Sequence, residues 1–229
     1  MPGVVDINLN GVELTLCWQG GLYWPDENVL FVADTHFGKE ATFRRHGIPV
    51  PVGSSKGTLA AIDSLLESTR ASRLVILGDM FHARSSLSRD VITALESFFA
   101  RHRDLVTTLV RGNHDAHIGR LPVEWPIEII DPYERIGDVV MTHHPQPIPD
   151  DASLLVCGHL HPAVRVSDSI GTLPCFHYRS GVLVLPAIGR FTGTHVVDRG
   201  RDDRAWGIAK NEVFSVPSGS RLYRETRGN

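Results

Sequence analysis

Leu105-Val106-Thr107-Thr108-Leu109-Val110-Arg111-Gly112-Asn113-His114-Asp115 is an apolar, β-branched run that ends on a glycine and three polar side chains. The run has the composition of a buried strand, and the glycine permits a tight turn at its end. The same arrangement recurs on both sides of it. Val29 to Ala33 runs into Asp34-Thr35-His36, and Leu74 to Leu77 into Gly78-Asp79. Val139 to Thr142 leads to His143-His144, and Leu154 to Cys157 to Gly158-His159-Leu160-His161. Between these strands, Leu59, Ile62, Leu65 and Leu66 recur at helical spacing within Ser54 to Arg70. Val91, Ile92, Leu95, Phe98 and Phe99 do so within Ser88 to His102. The first half therefore reads βαβαβ.

From Ile127 onward the pattern is mostly strands with short loops. Near the N-terminus Val12, Leu14, Leu16 and Trp18 alternate with polar positions as a half-buried strand, and Gly20-Gly21 turns the chain. The expected fold class is α/β: a four-layer αββα sandwich of two mixed sheets flanked by helices. A hairpin is expected near residues 205–217, turning at Lys210-Asn211, with a polar tail over 218–229. The whole chain, 1–229, reads as one domain.

Composition narrows the function. Of 229 residues, 42% are hydrophobic and 21% charged, which suits a sizeable core. No apolar run approaches the length of about 18 that a spanning helix needs, and the first ten residues carry no signal-peptide pattern. The cytoplasm is the expected location. Cys17, Cys157 and Cys175 form no CxxC pair, which argues against structural zinc and a disulfide framework. A net charge of −3 does not suit a protein that coats nucleic acid with its whole surface, but it permits a local phosphate site. The unusual feature is 12 histidines, several of them beside Asp, Asn and Gly.

Strand ends of an open α/β sheet converge on one edge, where ligands bind. Asp34, His36, Asp79, Asn113, His143, His159 and His161 can therefore meet despite their distance in sequence. Within Asp34-Thr35-His36 and His159-Leu160-His161, residues two apart share a face of an extended segment. Imidazole, carboxylate and amide oxygen without thiolate suit Mn²⁺, Fe or Zn²⁺. Seven donors exceed the needs of one tetrahedral ion and suit two, about 3.5–4 Å apart with one carboxylate between them. Two divalent ions against Asp34 and Asp79 leave about +2, a charge that attracts phosphate.

These five motifs, in this order, resemble those of calcineurin-like metallophosphoesterases. The resemblance implies two-metal hydrolysis of phosphate esters. One ion would be held by Asp34, His36 and His161, the other by Asn113, His143 and His159, with Asp79 between them. His144 competes with His143 for its position, and spacing does not decide between them. The resemblance also implies that His114 protonates the leaving group and that Asp115 orients its imidazole.

Phe37-Gly38-Lys39, Phe81-His82 and Leu185-Pro186-Ala187-Ile188-Gly189-Arg190-Phe191-Thr192-Gly193 resemble the bacterial and archaeal ligase-associated DNA damage response phosphodiesterase/endonuclease group (PdeM-type). Thr35 stands where leucine is usual in that group. The resemblance implies a manganese-dependent phosphodiesterase or endonuclease acting on DNA in repair, with a DNA ligase and a helicase as partners.

Lys39, His82 and Arg84 follow metal motifs and are candidate substrate contacts; Arg44, Arg45 and Arg120 lie in similar loops. Few aromatic residues accompany them, so no base-stacking platform is evident. A small-molecule or nucleotide phosphodiesterase or phosphatase stays open beside the DNA reading. A non-catalytic, protein-binding relative would be expected to have lost donors, whereas all seven and His114 are present. Sequence sets no oligomeric state; a dimer would widen the binding surface.

Overall fold

A computed structural model describes residues 3–45, 47–48, 53–83, 86–167, 171–190 and 192–217. Arg84 and the expected tail over 218–229 lie outside the described residues.

The first sheet takes its seven strands in chain order. β1 (Val4–Leu9), β2 (Val12–Cys17), β3 (Leu22–Trp24) and β4 (Val29–Val32) form an antiparallel meander. β5 (Arg73–Leu77), β6 (Val106–Val110) and β7 (Ile127–Ile130) continue parallel to β4. The crossovers carry α1 (Lys39–Arg45), α2 (Ser54–Thr69) and α3 (Arg89–Arg101). The parallel strands read as unbroken apolar runs because both faces are covered. In β4, Phe31 points into the core between the sheets while Leu30 and Val32 pack among Ile62, Leu65, Leu95 and Phe98 of the helices.

The second sheet comprises β8 (Tyr133–Ile136), β9 (Val139–Thr142), β10 (Leu154–Cys157), β11 (Pro162–Ser167), β12 (Gly171–Arg179), β13 (Val182–Val184) and β14 (His195–Val196), with β15 (Arg204–Ala209) and β16 (Glu212–Val216). Their order is β14-β11-β12-β13-β10-β9-β8, with β15 beside β12 and β16 outside β15. β9, β10 and β13 run parallel. Leu16, Phe31, Val75 and Val110 of the first sheet meet Met141, Val156, Phe176 and Leu183 of the second. Side chains buried this fully stabilise the sandwich by roughly 1.5–3 kcal/mol each. The two mixed sheets and the helices form the expected α/β fold. Helices α2 and α3 lie against the first sheet; outside the second, Ile148 and Ala152 of the loop between β9 and β10 cover Val140, Leu155 and Val184, so among the described residues a loop stands where the fourth, helical layer was expected.

The strand β1 is not anticipated above. Asn10 and Gly11 both have positive φ, and Leu9 pairs with Val12, which makes a two-residue hairpin turn whose twist matches the strands. Helix α1 is likewise unanticipated. It is fixed through Glu40, whose buried carboxylate accepts from the Ser55 N–H and hydroxyl at the start of α2. A carboxylate there satisfies free helix donors and complements the helix dipole.

Parallel β4–β6 and parallel β9, β10 and β13 bring their carboxyl ends to one edge. There the sheets are joined: Ala33 bridges Ala187, and the Ile188 N–H donates to Ala33 O.

Candidate metal centre

Two donor sets face each other across Asp79. In the first, His36 Nε2 lies 3.4 Å from His161 Nε2, which is 3.6 Å from Asp34 Oδ1. In the second, His143 Nε2 lies 3.0 Å from Asn113 Oδ1 and 3.2 Å from His159 Nδ1. Asp79 Oδ2 is 4.0 Å from His36 Nε2, and its Oδ1 is 3.5 Å from His143 Nε2. All seven donors expected from the strand ends are thus gathered. Asp34 and Asp79 are 0% and 3% exposed.

His143 and His144 differ in burial and in what their rings face. His143 is buried, donates from Nδ1 to Leu77 O at 3.1 Å, and so turns Nε2 toward Asn113 and Asp79. His144 is exposed, its ring 4.1 Å from that of His159. His161 is oriented in the same manner, with Nδ1 directed at Gly193 O at 3.0 Å. A backbone carbonyl behind the ring fixes the tautomer that leaves Nε2 free.

The donors sit on strained backbone. Asp34, His36, Asp79, His159 and His161 all have φ between 45° and 70°, the left-handed region that side chains other than glycine seldom adopt. Such conformations cost of order 1–3 kcal/mol each and persist where surrounding structure dictates them. The glycines before the donors supply room. A Cβ at Gly78 would collide with the His143 ring, one at Gly112 with Asp79, and one at Gly158 would lie 2.7 Å from Asp34 Oδ2. Thr35 is part of this scaffold: its buried hydroxyl donates to Met80 O at 2.9 Å, tying the first motif to the second.

His114 stands beside the donors. Its Nδ1 donates to His82 O at 2.7 Å, its backbone N–H to Asp79 Oδ1 at 2.9 Å, and its Nε2 lies 3.8 Å from Asp79 Oδ2. Asp115 does not orient this ring. Its carboxylate accepts from the backbone N–H groups of Gly112, Met80 and Phe81. The 3₁₀ turn over Asp115–His117 carries it back across the loop after β5. The His82 ring stacks on that of His114 with centroids 5.1 Å apart, and Lys39 Nζ lies 5.7 Å from the Phe43 centroid beside them. Arg44 and Arg45 lie in the last turn of α1 and not in a loop as expected; they and Arg120 are exposed.

Electrostatics prepare three of the four rings for a cation. Burial, then Lys39 and the neighbouring rings, push His36 down to about 2. Burial takes His143 to about 4 and lowers His159. Burial also works against charged His161, but Asp34 outweighs it and raises that ring's pKa. Burial raises Asp79, partly offset by the His114 N–H. Ligating imidazole must be neutral, and burial favours the neutral form of His36, His143 and His159. Asp34 Oδ1 is buried without a hydrogen bond, 3.6 Å from His161 Nε2 and 3.9 Å from His143 Nδ1. A buried carboxylate oxygen without a donor is costly, and a divalent cation satisfies it, so these residues fit metal ions. Among the described residues, Asp34, His36 and His161 form one group close enough to hold an ion, as do Asp34, Asp79 and His143. A third such group, His143, His144 and His159, shares its buried member with the second.

A family model described as calcineurin-like phosphoesterase matches residues 27–144. The chain belongs to the calcineurin-like phosphoesterase family. It is a hydrolase of a metal-dependent phosphoesterase family, and its buried His/Asp clusters are consistent with a binuclear site. In structure this phosphoesterase is similar to nuclease MPE of Pseudomonas putida. That match has 30% sequence identity, covers 93% of this chain and 100% of the nuclease, and has a TM-score of 0.82. It is also similar to Yfce, a phosphoesterase from E. coli, at 16% identity over 83% of this chain and 98% of that one, with a TM-score of 0.42. No curated protein matches the phosphoesterase in sequence. No helix among its described residues is long and apolar enough to cross a membrane.

Proposed function

We propose that the chain hydrolyses phosphodiester bonds of nucleic acid, DNA in the first place, with two divalent ions. One observation carries the two-ion reading: the oxygens of Asp79 face different donor sets, Oδ2 toward His36 and Oδ1 toward His143. Asp34, His36 and His161 would hold one ion, Asn113, His143 and His159 the other, with Asp79 shared. Bound ions supply Lewis acidity, making a water nucleophilic near neutral pH and offsetting charge on the phosphoryl oxygens. Manganese is the metal we assign, with iron or zinc as alternatives.

The chain's own residues do the rest. With Nδ1 donating to His82 O, His114 keeps Nε2 facing the site, where it delivers a proton to the leaving oxygen. Asp115 holds the loops that carry Asp79 and Asn113 together. Lys39 and His82, beside His114, contact the substrate phosphate. The likeness to a nuclease over nearly the whole chain supports nucleic acid as substrate. The Phe37-Gly38-Lys39, Phe81-His82 and 185–193 runs support membership of the ligase-associated group, and with it a cytoplasmic repair setting beside a DNA ligase and a helicase.

The test is a phosphodiesterase assay on metal-stripped protein resupplied with Mn²⁺, with single-stranded DNA and a small activated diester side by side. Cleavage of both is expected. Cleavage of the small diester alone would move the substrate to nucleotides; cleavage of neither would sink the proposal.

A further inference from the structure

The segment after β13 is not part of either donor set, yet it touches the first at several points. Ala187 bridges Ala33, Ile188 N–H donates to Ala33 O at 3.0 Å, and Gly189 N–H donates to Asp34 O at 3.2 Å. A Cβ at Gly189 would lie 2.6 Å from Thr35 O and 2.7 Å from Asp34 O, so only glycine permits this approach. Farther on, Gly193 O faces His161 Nδ1 at 3.0 Å. Thr192 Oγ1 donates to Gly189 O at 2.9 Å and closes the turn between the two contacts. The segment is itself anchored. Ile188 is buried in the helix-side core, and the Arg190 guanidinium packs on α2 so closely that a Cβ at Gly57 would lie 2.7 Å from its Cζ.

The contacts are one-sided. They reach Asp34 and His161, and their link to the other set is indirect, through Asp34 Oδ2, which accepts from the His159 N–H at 2.8 Å. The backbone makes the same division. Asp34, His36 and His161 all have left-handed φ, at 53°, 45° and 46°. In the other set only His159 does, at 70°. Strained backbone persists only where its surroundings hold it, so the set with three such residues needs the external support.

We infer that residues 187–190 with Thr192 and Gly193 are a positioning clasp for one ion of the pair, the one held by Asp34, His36 and His161. The inference rests on the two-ion reading above. The clasp touches no reacting atom. It fixes the Asp34 backbone and the tautomer of His161, and so acts on one position directly and on the other only through Asp34.

The test is Mn²⁺ binding to metal-stripped protein, measured by calorimetry and by the electron paramagnetic resonance signal of a coupled manganese pair. Thr192→Val removes the hydroxyl that closes the turn and keeps the shape. We expect it to weaken one ion by about 10-fold or more, in the range typical of groups behind a ligand, while the other changes less than twofold and the coupled-pair signal is lost at limiting metal. Thr192→Ser, which keeps the donor, should restore both. Gly189→Ala should act in the same direction more severely, and because it risks the fold, the threonine pair carries the decision. Combined with Asn113→Ala, which removes a donor of the other ion, Thr192→Val should still weaken the ion that remains. Equal weakening of both ions, or no change in either, would overturn the clasp and leave the two-ion reading intact. A wild-type protein that binds fewer than two ions would overturn both.

Discussion

His114 Nδ1 donates to the backbone carbonyl of His82 across 2.7 Å, and this contact sets the ring that faces the metal donors. The Asp115 carboxylate is spent on three backbone N–H groups, two in the loop after β5 and one at Gly112. Asp115→Asn should therefore act on the scaffold. An amide keeps one acceptor where a charge served three donors, so we expect a loss of about 1–3 kcal/mol and a melting temperature lower by several degrees. The dependence of rate on leaving-group pKa should be unchanged, since His114 keeps its own partner. His114→Ala should do the reverse, sparing the melting temperature and slowing poor leaving groups most. Melting curves and a leaving-group series on the two variants check both statements.

Gly112 separates steric from conformational requirements. Its φ is not left-handed, yet a Cβ there would strike the Asp79 backbone and carboxylate. Gly112→Ala should lower Mn²⁺ affinity at both ions, because the displaced group is the shared one. Calorimetric titration of the variant should give two weakened sites; a single weakened site would contradict the shared role of Asp79.

A second cluster lies away from the centre, on the outer side of the second sheet. Asp203 accepts from Arg179, from the Gly200 N–H and from His177. Burial alone would raise its pKa, but these partners hold it down at about 2. A carboxyl depressed from an ordinary value of 3.8 stabilises the fold fully above about pH 4 and loses that contribution as pH falls through 2. Asp203→Asn should cost about 2 kcal/mol at pH 7 by urea unfolding. The gap between variant and wild type should narrow at pH 2.5. A gap independent of pH would mean that the charge contributes nothing.

All three cysteines are buried. Burial pushes Cys17 and Cys175 up to about 12 and Cys157 higher still. Since the thiolate is the reactive form, the native protein should react with a disulfide reagent at pH 8 over about a thousandfold more slowly than the unfolded chain. Three thiols should then titrate in denaturant.

The strands that carry donors are legible in the sequence because each is an apolar run stopped by a residue that a core would not accept, as Leu77 stops at Gly78-Asp79. Burial on both faces writes that pattern directly. β1 carries the same period-two pattern as β2, with Asp6 and Asn8 alternating with Val5, Ile7 and Leu9, and the Asn10-Gly11 turn joins the two. α1 has only 7 residues, about two turns, too few for a period to register. The partners of Asp115 could not be read at all, because a carboxylate followed along the chain gives no sign of which distant N–H groups it meets. The same holds for Gly189, whose reason to be glycine is the backbone of Asp34 and Thr35, more than 150 positions earlier.

Gly78, Gly112 and Gly158 each leave the volume of one methyl group to a donor on another strand: the His143 ring, Asp79 and Asp34. Such a volume is held in common, so the two positions are not free to drift separately as lineages diverge. A descendant that gains a side chain at one of these glycines must move the donor it crowds, whether or not that donor's letter has changed. Among relatives whose seven donors read as intact, a replaced glycine would mark those that have given up the ions.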